Sequence, residues 1–311
     1  MGAFARVSVP AAEDARLDEC EAVARRTFAE LENLFSVYKP DSEISLLGRQ
    51  AGGEPIPVSP DTRRILELSL KYAKVSGGCF DPTVAPLVTL WGFNGGKCPV
   101  SPPPESLISN VLKRVGYTHL ILSNNTARLD LPGMQLDLGG IAKGYAVDVC
   151  YDRLVGMGIT NVMVDLGGNI RCGGTPAAGR RGWTIGVRSP FDPEVLVGEL
   201  TLTDGMAVAT SGNYEKFVTI RGKRYAHIMN PHTGYPVEGM AGVTVVSTSA
   251  VETDGMSTAL FVLGFEKAQT AIGQLPNCHA LFIPDRQPPI IRLTPGLHNL
   301  FTRSDLPPVS Q

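Results

Sequence analysis

The sequence predicts an α+β fold, with an antiparallel sheet and helices packed against it. Three observations lead there. Helix-like and strand-like segments come in blocks, without the strict βα alternation of a doubly wound parallel sheet. Between residues 183 and 246 the text is almost all strand-like. The 34 glycines and 24 prolines fall between periodic segments and not in low-complexity runs.

Residues 3–9 alternate enough for an opening strand. Residues 14–35 form an amphipathic helix, with Leu17, Cys20, Ala24, Phe28, Leu31 and Leu34 at spacings of three and four. Ser59-Pro60 starts a second helix that stops at Gly77-Gly78. A third runs from Pro102–Pro104 to Val115 and closes at Gly116. Residues 120–137 predict a hairpin, with turn signals at Asn124-Asn125 and Pro132-Gly133. A helix over 141–157 and a short strand over 161–165 follow, the strand ending in Gly167-Gly168. Further strands are expected at 184–187, 196–202, 206–209, 217–220, 225–229 and 242–246. Two helices, 254–262 and 265–272, precede a last strand at 280–283.

The chain has 311 residues, 43% of them hydrophobic and 19% charged, so it can build a sizeable core. No fixed-period repeat and no linker divides it, which predicts one domain over 1–304 and a frayed tail over 305–311. Net charge is -2, with no block of five like charges, which argues against nucleic acid as the partner. No apolar run is long enough for a transmembrane segment. The six cysteines, Cys20, Cys79, Cys98, Cys150, Cys172 and Cys278, make no CxxC pair; this predicts small buried or free thiols instead of a zinc or redox motif. The start, MGAFARVSVP, shows no charged-then-apolar leader, so the protein as written is expected to be soluble and cytoplasmic. A removed leader would instead make it periplasmic and inner-membrane-associated.

Five segments carry candidate chemistry. LDLGGIAKGYAVD (136–148) puts Gly139-Gly140 between a strand and a helix, where backbone N–H groups can face an anion. It is neither a P-loop nor GxGxxG. A glycine pair alone is equally an ordinary turn, but Asp137 and Lys143 beside it suit ribose or phosphate recognition. In VETDGMSTAL (251–260), Asp254 and Thr258 lie one helical turn apart and supply hard oxygens of the kind Mg²⁺ takes; the alternative is an acidic first turn favoured by the helix dipole. In YAHIMNPHTGYPV (225–237), His227 is a candidate general base, while His119, His232, His279 and His298 read as structural or surface residues. In FSVYKPDSEIS (35–45) and CFDPTVAPLVTLWGF (79–93), Tyr38, Phe80 and Trp91 could hold a planar ring and Asp81 a polar edge; aromatics in such segments also serve as core.

Taken together, the ordered blocks SVYKPDSEIS, FDPTVAPLV…WGF, LDLGGIAKGYAVD with VDLGGNI, AHIMNPHTGYPV and ETDGMSTAL resemble the ApbE family, the FAD:protein FMN transferases. The resemblance covers nearly the whole chain. It implies a single T-fold-like α+β domain that splits the FAD diphosphate, releases AMP and leaves FMN esterified to a threonine or serine hydroxyl of an acceptor protein, of the redox-complex subunit type. Mg²⁺ is implied as the required cofactor. By matching block, Met1, Tyr38, Cys79, Phe80, Asp81, Asp137, Lys143 and Ile228 would contact FAD. The Gly140 carbonyl, Asp254, Ser257 and Thr258 would bind Mg²⁺. His227, Lys143 and Asp254 would carry the catalysis. Departures from the family pattern are Ala3 where threonine is common, Ala226 before His227 where a second histidine is usual, Asn230 for an aspartate, and Cys79 for a smaller residue. Two rivals remain: a Mg²⁺-dependent FAD diphosphatase giving FMN and AMP, and a non-catalytic FAD carrier, which would need neither Asp254 nor Thr258.

Overall fold

The computed structural model describes residues 3–95 and 99–304. Met1, Cys98 and the tail over 305–311 therefore lie outside the described residues. The framework is a seven-stranded sheet in the order Ala5–Ser8, Val162–Leu166, Asn169–Gly173, Ala207–Gly212, Met240–Ser247, His279–Pro284 and Arg292–Leu293. Every pairing in it is antiparallel. The α+β expectation is met.

The strand Met240–Ser247 is buried along its whole length. A strand covered on both faces reads as a continuous apolar run, and MAGVTVVS is nearly one. Val243 and Val245 enter the main core with the helices Leu17–Phe35, Ala142–Gly156 and Ala250–Ile272. Ala241 and Val246 enter a second core with Trp183, Leu200 and Leu281. That second core is closed by a three-stranded sheet made of Trp183–Arg188, Leu196–Leu202 and Phe301–Arg303. A separate hairpin, Phe217–Ile220 with Lys223–Ala226, covers a third cluster around Leu87, Trp91, Ile108 and Met229.

Two helices decide where the chemistry can be. Ala142–Gly156 crosses Ala250–Ile272 at Gly144, where an added Cβ would come 2.1 Å from the Ala250 carbonyl oxygen. Only glycine allows that approach. Asp148, on the first helix, caps the second. Its carboxylate accepts from the Ala250 and Val251 N–H groups, both at 2.9 Å, and from the Ser249 hydroxyl at 2.8 Å. Arg171 balances its charge at 2.9 Å. With Ser249 as a further cap, the last helix begins at Ala250, four residues before the expected start at 254. The expected break into two helices is present as a kink at Gly264, whose φ of 72° is non-helical.

Other differences have local causes. The hairpin expected over 120–137 is only Leu120–Ser123 with Thr126–Leu129; beyond it Pro132 and Gly133 turn the chain away as a loop. The strand expected over 225–229 ends at Ala226. A helix at Glu43–Arg49, capped by Ser42, and a strand at Asn169–Gly173 have no counterpart in the expectation. Cys20 is buried, and Cys79, Cys150, Cys172 and Cys278 are free thiols. Among the described residues no helix is long and apolar enough to cross a membrane.

Gly144→Ala should lower stability by about 1–3 kcal/mol through overpacking at this crossing. A thermal unfolding midpoint equal to or above that of the wild type would mean that the helices do not meet so closely.

Candidate active site

The site begins at the turn before the helix Ala142–Gly156. Asp137 is tied down by its own N–H, which donates to the Pro82 carbonyl at 2.8 Å. Its side chain accepts from the Gly139 N–H at 2.7 Å, which sets the turn. Gly140 then passes against the last helix: an added Cβ would lie 2.9 Å from Thr258 Oγ1 and 3.4 Å from a ring carbon of Phe80. The turn and the 254–258 segment, more than 100 residues apart in sequence, are thus in contact.

Asp254 is the charged centre of this contact, and only 4% of its surface is exposed. Its Oδ2 accepts from the Gly144 N–H at 2.9 Å, and its Oδ1 lies 3.4 Å from Lys143 Nζ. The same ammonium lies 3.4 Å from the Gly139 carbonyl. Beside it, the Ser211 hydroxyl meets those of Ser257 at 2.9 Å and Thr258 at 3.3 Å. One carboxylate, several hydroxyls and a closely approaching backbone turn make a hard-oxygen donor set. It fits Mg²⁺, which takes few protein ligands and leaves positions for water and phosphate. Among the described residues no group of three or more His, Cys, Asp or Glu side chains could hold a metal, so a nitrogen- and sulfur-loving ion has no donor set there.

His227 is near enough to Asp137 and Lys143 for its ring to feel both charges. It follows the hairpin Phe217–Ala226, and both its N–H and its Nδ1 lie 3.1 Å from the Lys216 carbonyl. A proton on Nδ1 satisfies that carbonyl and leaves Nε2 as the free lone pair. Burial holds the imidazole pKa below its ordinary value of 6.5, and the ring also feels Lys216, Asp137 and Lys143. A cleft of about 400 Å³ is lined by Val37, Tyr38, Ile44, Val88, Leu136 and Asp137 among others. Tyr38 stands at its rim with 72% of its surface exposed, a flat face with no core role.

A protein-family model described as the ApbE family matches residues 1–282. The chain belongs to the ApbE family. A Klebsiella pneumoniae relative named FAD:protein FMN transferase is 34% identical over 277 residues, covering 88% of this chain and 79% of its own length. One from Vibrio cholerae with the same name is 35% identical over 254 residues, covering 81% and 76%. The solved flavin transferase ApbE from Vibrio cholerae, 30% identical, superposes with a TM-score of 0.86 over 96% of both chains. The ApbE protein from Thermotoga maritima, 29% identical, gives 0.86 over 96% of both.

In this ApbE-family chain, Asp137, Gly140, Lys143, Asp254, Ser257 and Thr258 gather around one turn, and the His227 ring feels the charges of Asp137 and Lys143. Phe80 packs beneath Gly140 and is almost fully buried. Cys79 is half-buried, its thiol pushed up by burial. Ile228 lies in the main core, with its carbonyl accepting from the Val237 N–H at 2.9 Å. Of the two readings of Trp91, ring wall or core, the structure gives core: it is fully buried and its indole donates to the Gly234 carbonyl at 2.9 Å. Asp81 is buried, and both its oxygens accept hydrogen bonds. Oδ1 accepts from the Thr83 N–H and hydroxyl, at 2.8 and 2.6 Å, and Oδ2 from the Tyr117 N–H at 2.8 Å. It anchors the loop that carries Phe80 under the turn.

Ser211 and Asn169 are site residues that the sequence reading missed. Ser211 is a lone serine in a strand, with no spacing signal. Asn169 stands at the end of the VDLGGN block, where the glycines draw attention away from it.

The direction of the His227 shift fixes a pH effect. The folded ring loses its proton at a lower pH than the unfolded chain does, near 6.5. Its contribution to stability is therefore complete above 6.5 and is lost as pH falls through that window. An NMR titration of the imidazole should give a midpoint below 6.5; a midpoint above it would mean an exposed or carboxylate-paired ring.

Proposed function

We propose that this chain transfers FMN from FAD to a threonine or serine hydroxyl of an acceptor protein and releases AMP, with Mg²⁺ as the required cation. The observation that carries the reading is the contact of a glycine turn, a lysine and a hard-oxygen set, with the half-buried His227 imidazole under the charges of Asp137 and Lys143 and a cleft lined by Tyr38 and Asp137 beside them. The names of the relatives agree with it.

The cleft from Tyr38 to Asp137 takes the planar ring system, and the diphosphate extends to the Gly139-Gly140 turn. Lys143 and the Gly140 N–H hold phosphate oxygens and offset their charge. Asp254, Ser257, Thr258 and the Gly140 carbonyl would hold Mg²⁺, with Ser211 fixing the two hydroxyls. When bound, the cation supplies Lewis-acid stabilisation of the charge that develops on the diphosphate. His227 Nε2 accepts the proton of the acceptor hydroxyl as its oxygen attacks the FMN-side phosphorus. A new oxygen–phosphorus bond forms, the bond from that phosphorus to the bridging oxygen breaks, and AMP leaves with the bridging oxygen. Burial keeps His227 neutral near pH 7, as a base must be.

Incubation with FAD, Mg²⁺ and a threonine-containing acceptor peptide should yield AMP and a flavin-phosphoester peptide by mass spectrometry. AMP with free FMN and an unmodified peptide would instead identify a diphosphatase, and intact bound FAD a carrier. His227→Ala should still bind FAD while transfer slows by roughly 10²–10⁴-fold; unchanged turnover would remove it as the base. Asp254→Ala should lose Mg²⁺-dependent transfer while keeping its circular dichroism, and transfer at the wild-type rate would refute the metal assignment.

A further inference from the structure

Lys143 and Asp254 carry opposite charges in a largely buried site, yet they do not form a tight pair. Their 3.4 Å separation exceeds the roughly 2.7–2.9 Å of a strong ammonium–carboxylate bond. The side chain between them is Asn169. It is 3% exposed and opens the strand Asn169–Gly173, directly after the left-handed turn at Gly167-Gly168. With its amide nitrogen toward the carboxylate, it donates to Asp254 Oδ1 at 3.0 Å, and its amide oxygen accepts from Lys143 Nζ at 3.2 Å. The opposite orientation would set donor against donor and acceptor against acceptor.

We propose that Asn169 is a positioning residue that holds Lys143 and Asp254 apart, so that the carboxylate stays available to a divalent cation and the ammonium to a phosphate. The chemistry of the amide is what qualifies it. A carboxamide offers one donor and one acceptor group and no charge, so it can span an anion and a cation without replacing either. An aspartate here would draw the lysine onto itself, and an alanine would let lysine and carboxylate close to a direct pair. In a direct pair each charge cancels the other, and both are lost to ligands. Asn169 reaches no reacting atom; it acts through the two groups that do. The inference rests on the cation at Asp254 proposed above.

Mn²⁺ binding, followed by EPR with FAD present and no acceptor, tests it without reading turnover. Asn169→Ala should weaken Mn²⁺ binding by about 10–100-fold, the usual effect of removing a partner behind a metal ligand. Asn169→Ser, too short to span the two charges, should behave the same. The deciding measurement is the cycle with Lys143→Met. With no ammonium to collapse onto Asp254, removing Asn169 should change Mn²⁺ affinity by no more than about twofold. Unchanged affinity in Asn169→Ala and Asn169→Ser would overturn the inference, as would an equal loss with or without Lys143. A wild-type protein that takes up no Mn²⁺ would overturn the cation assignment along with it, whereas wild-type binding with unaffected variants would overturn this inference alone.

Discussion

The hydrogen bond from the Gly144 N–H to Asp254, 2.9 Å long and buried at a helix crossing, is the constraint on which the rest depends. A lone carboxylate taken out of water costs several kcal/mol unless something compensates it. Here a backbone amide, a side-chain amide and a lysine share the task. The amide can reach only because residue 144 has no side chain, and the crossing is held in register by Asp148 capping the partner helix. Sequence, packing and charge are thus joined at one point: the glycine permits the approach, the approach solvates the carboxylate, and the carboxylate faces the turn at Gly139-Gly140.

The two halves of the site belong to different cores. Asp254, Lys143 and the glycine turn are carried by helices of the main core. His227 is carried by the exit of the hairpin Phe217–Ala226, which packs on the smaller cluster of Trp91, Ile108 and Met229. Its hold on the ring is one carbonyl, that of Lys216. Among the described residues the hairpin pairs with no other strand, and its tip, from Arg221 to Arg224, is exposed. A small, exposed unit opens at lower free energy than the buried sheet does. On the proposed reading, the base sits on the element easier to displace and the charged centre on the one that is harder.

Much of this was legible in the sequence, for identifiable reasons. The central strand shows as an apolar run because both its faces are covered. The break in the last helix shows because Gly264 stands inside an otherwise helical pattern. Segments such as DLGGIAKG and ETDGMSTAL show because glycine, lysine, carboxylate and hydroxyl residues are crowded in few positions. What could not be read was distance. Gly144 and Asp254 are 110 positions apart, and no periodicity says that one solvates the other. Trp91 and Tyr38 look alike as aromatics near a cleft, but one is core and the other rim. Asp81 gives no sign in the sequence of the three donors that hold it. The helix Glu43–Arg49 is too short for a periodic signal, and Asn169 and Ser211 matter only through neighbours from other strands.

Charge explains why a cation belongs in the reading as more than an accessory to the chemical step. Lys143 and Asp254 together are neutral, so they offer a diphosphate little net attraction. A diphosphate diester brings about two negative charges, and a divalent cation at Asp254 restores the balance. Turn amides at Gly139-Gly140 supply only partial charges. A carboxylate placed where an anion must bind would be a defect without a cation, since like charges in a low-dielectric cleft repel strongly. On the proposed reading the cation would turn it into an anchor and free the lysine beside it for the phosphate, a role that an ordinary capped helix does not give a buried aspartate.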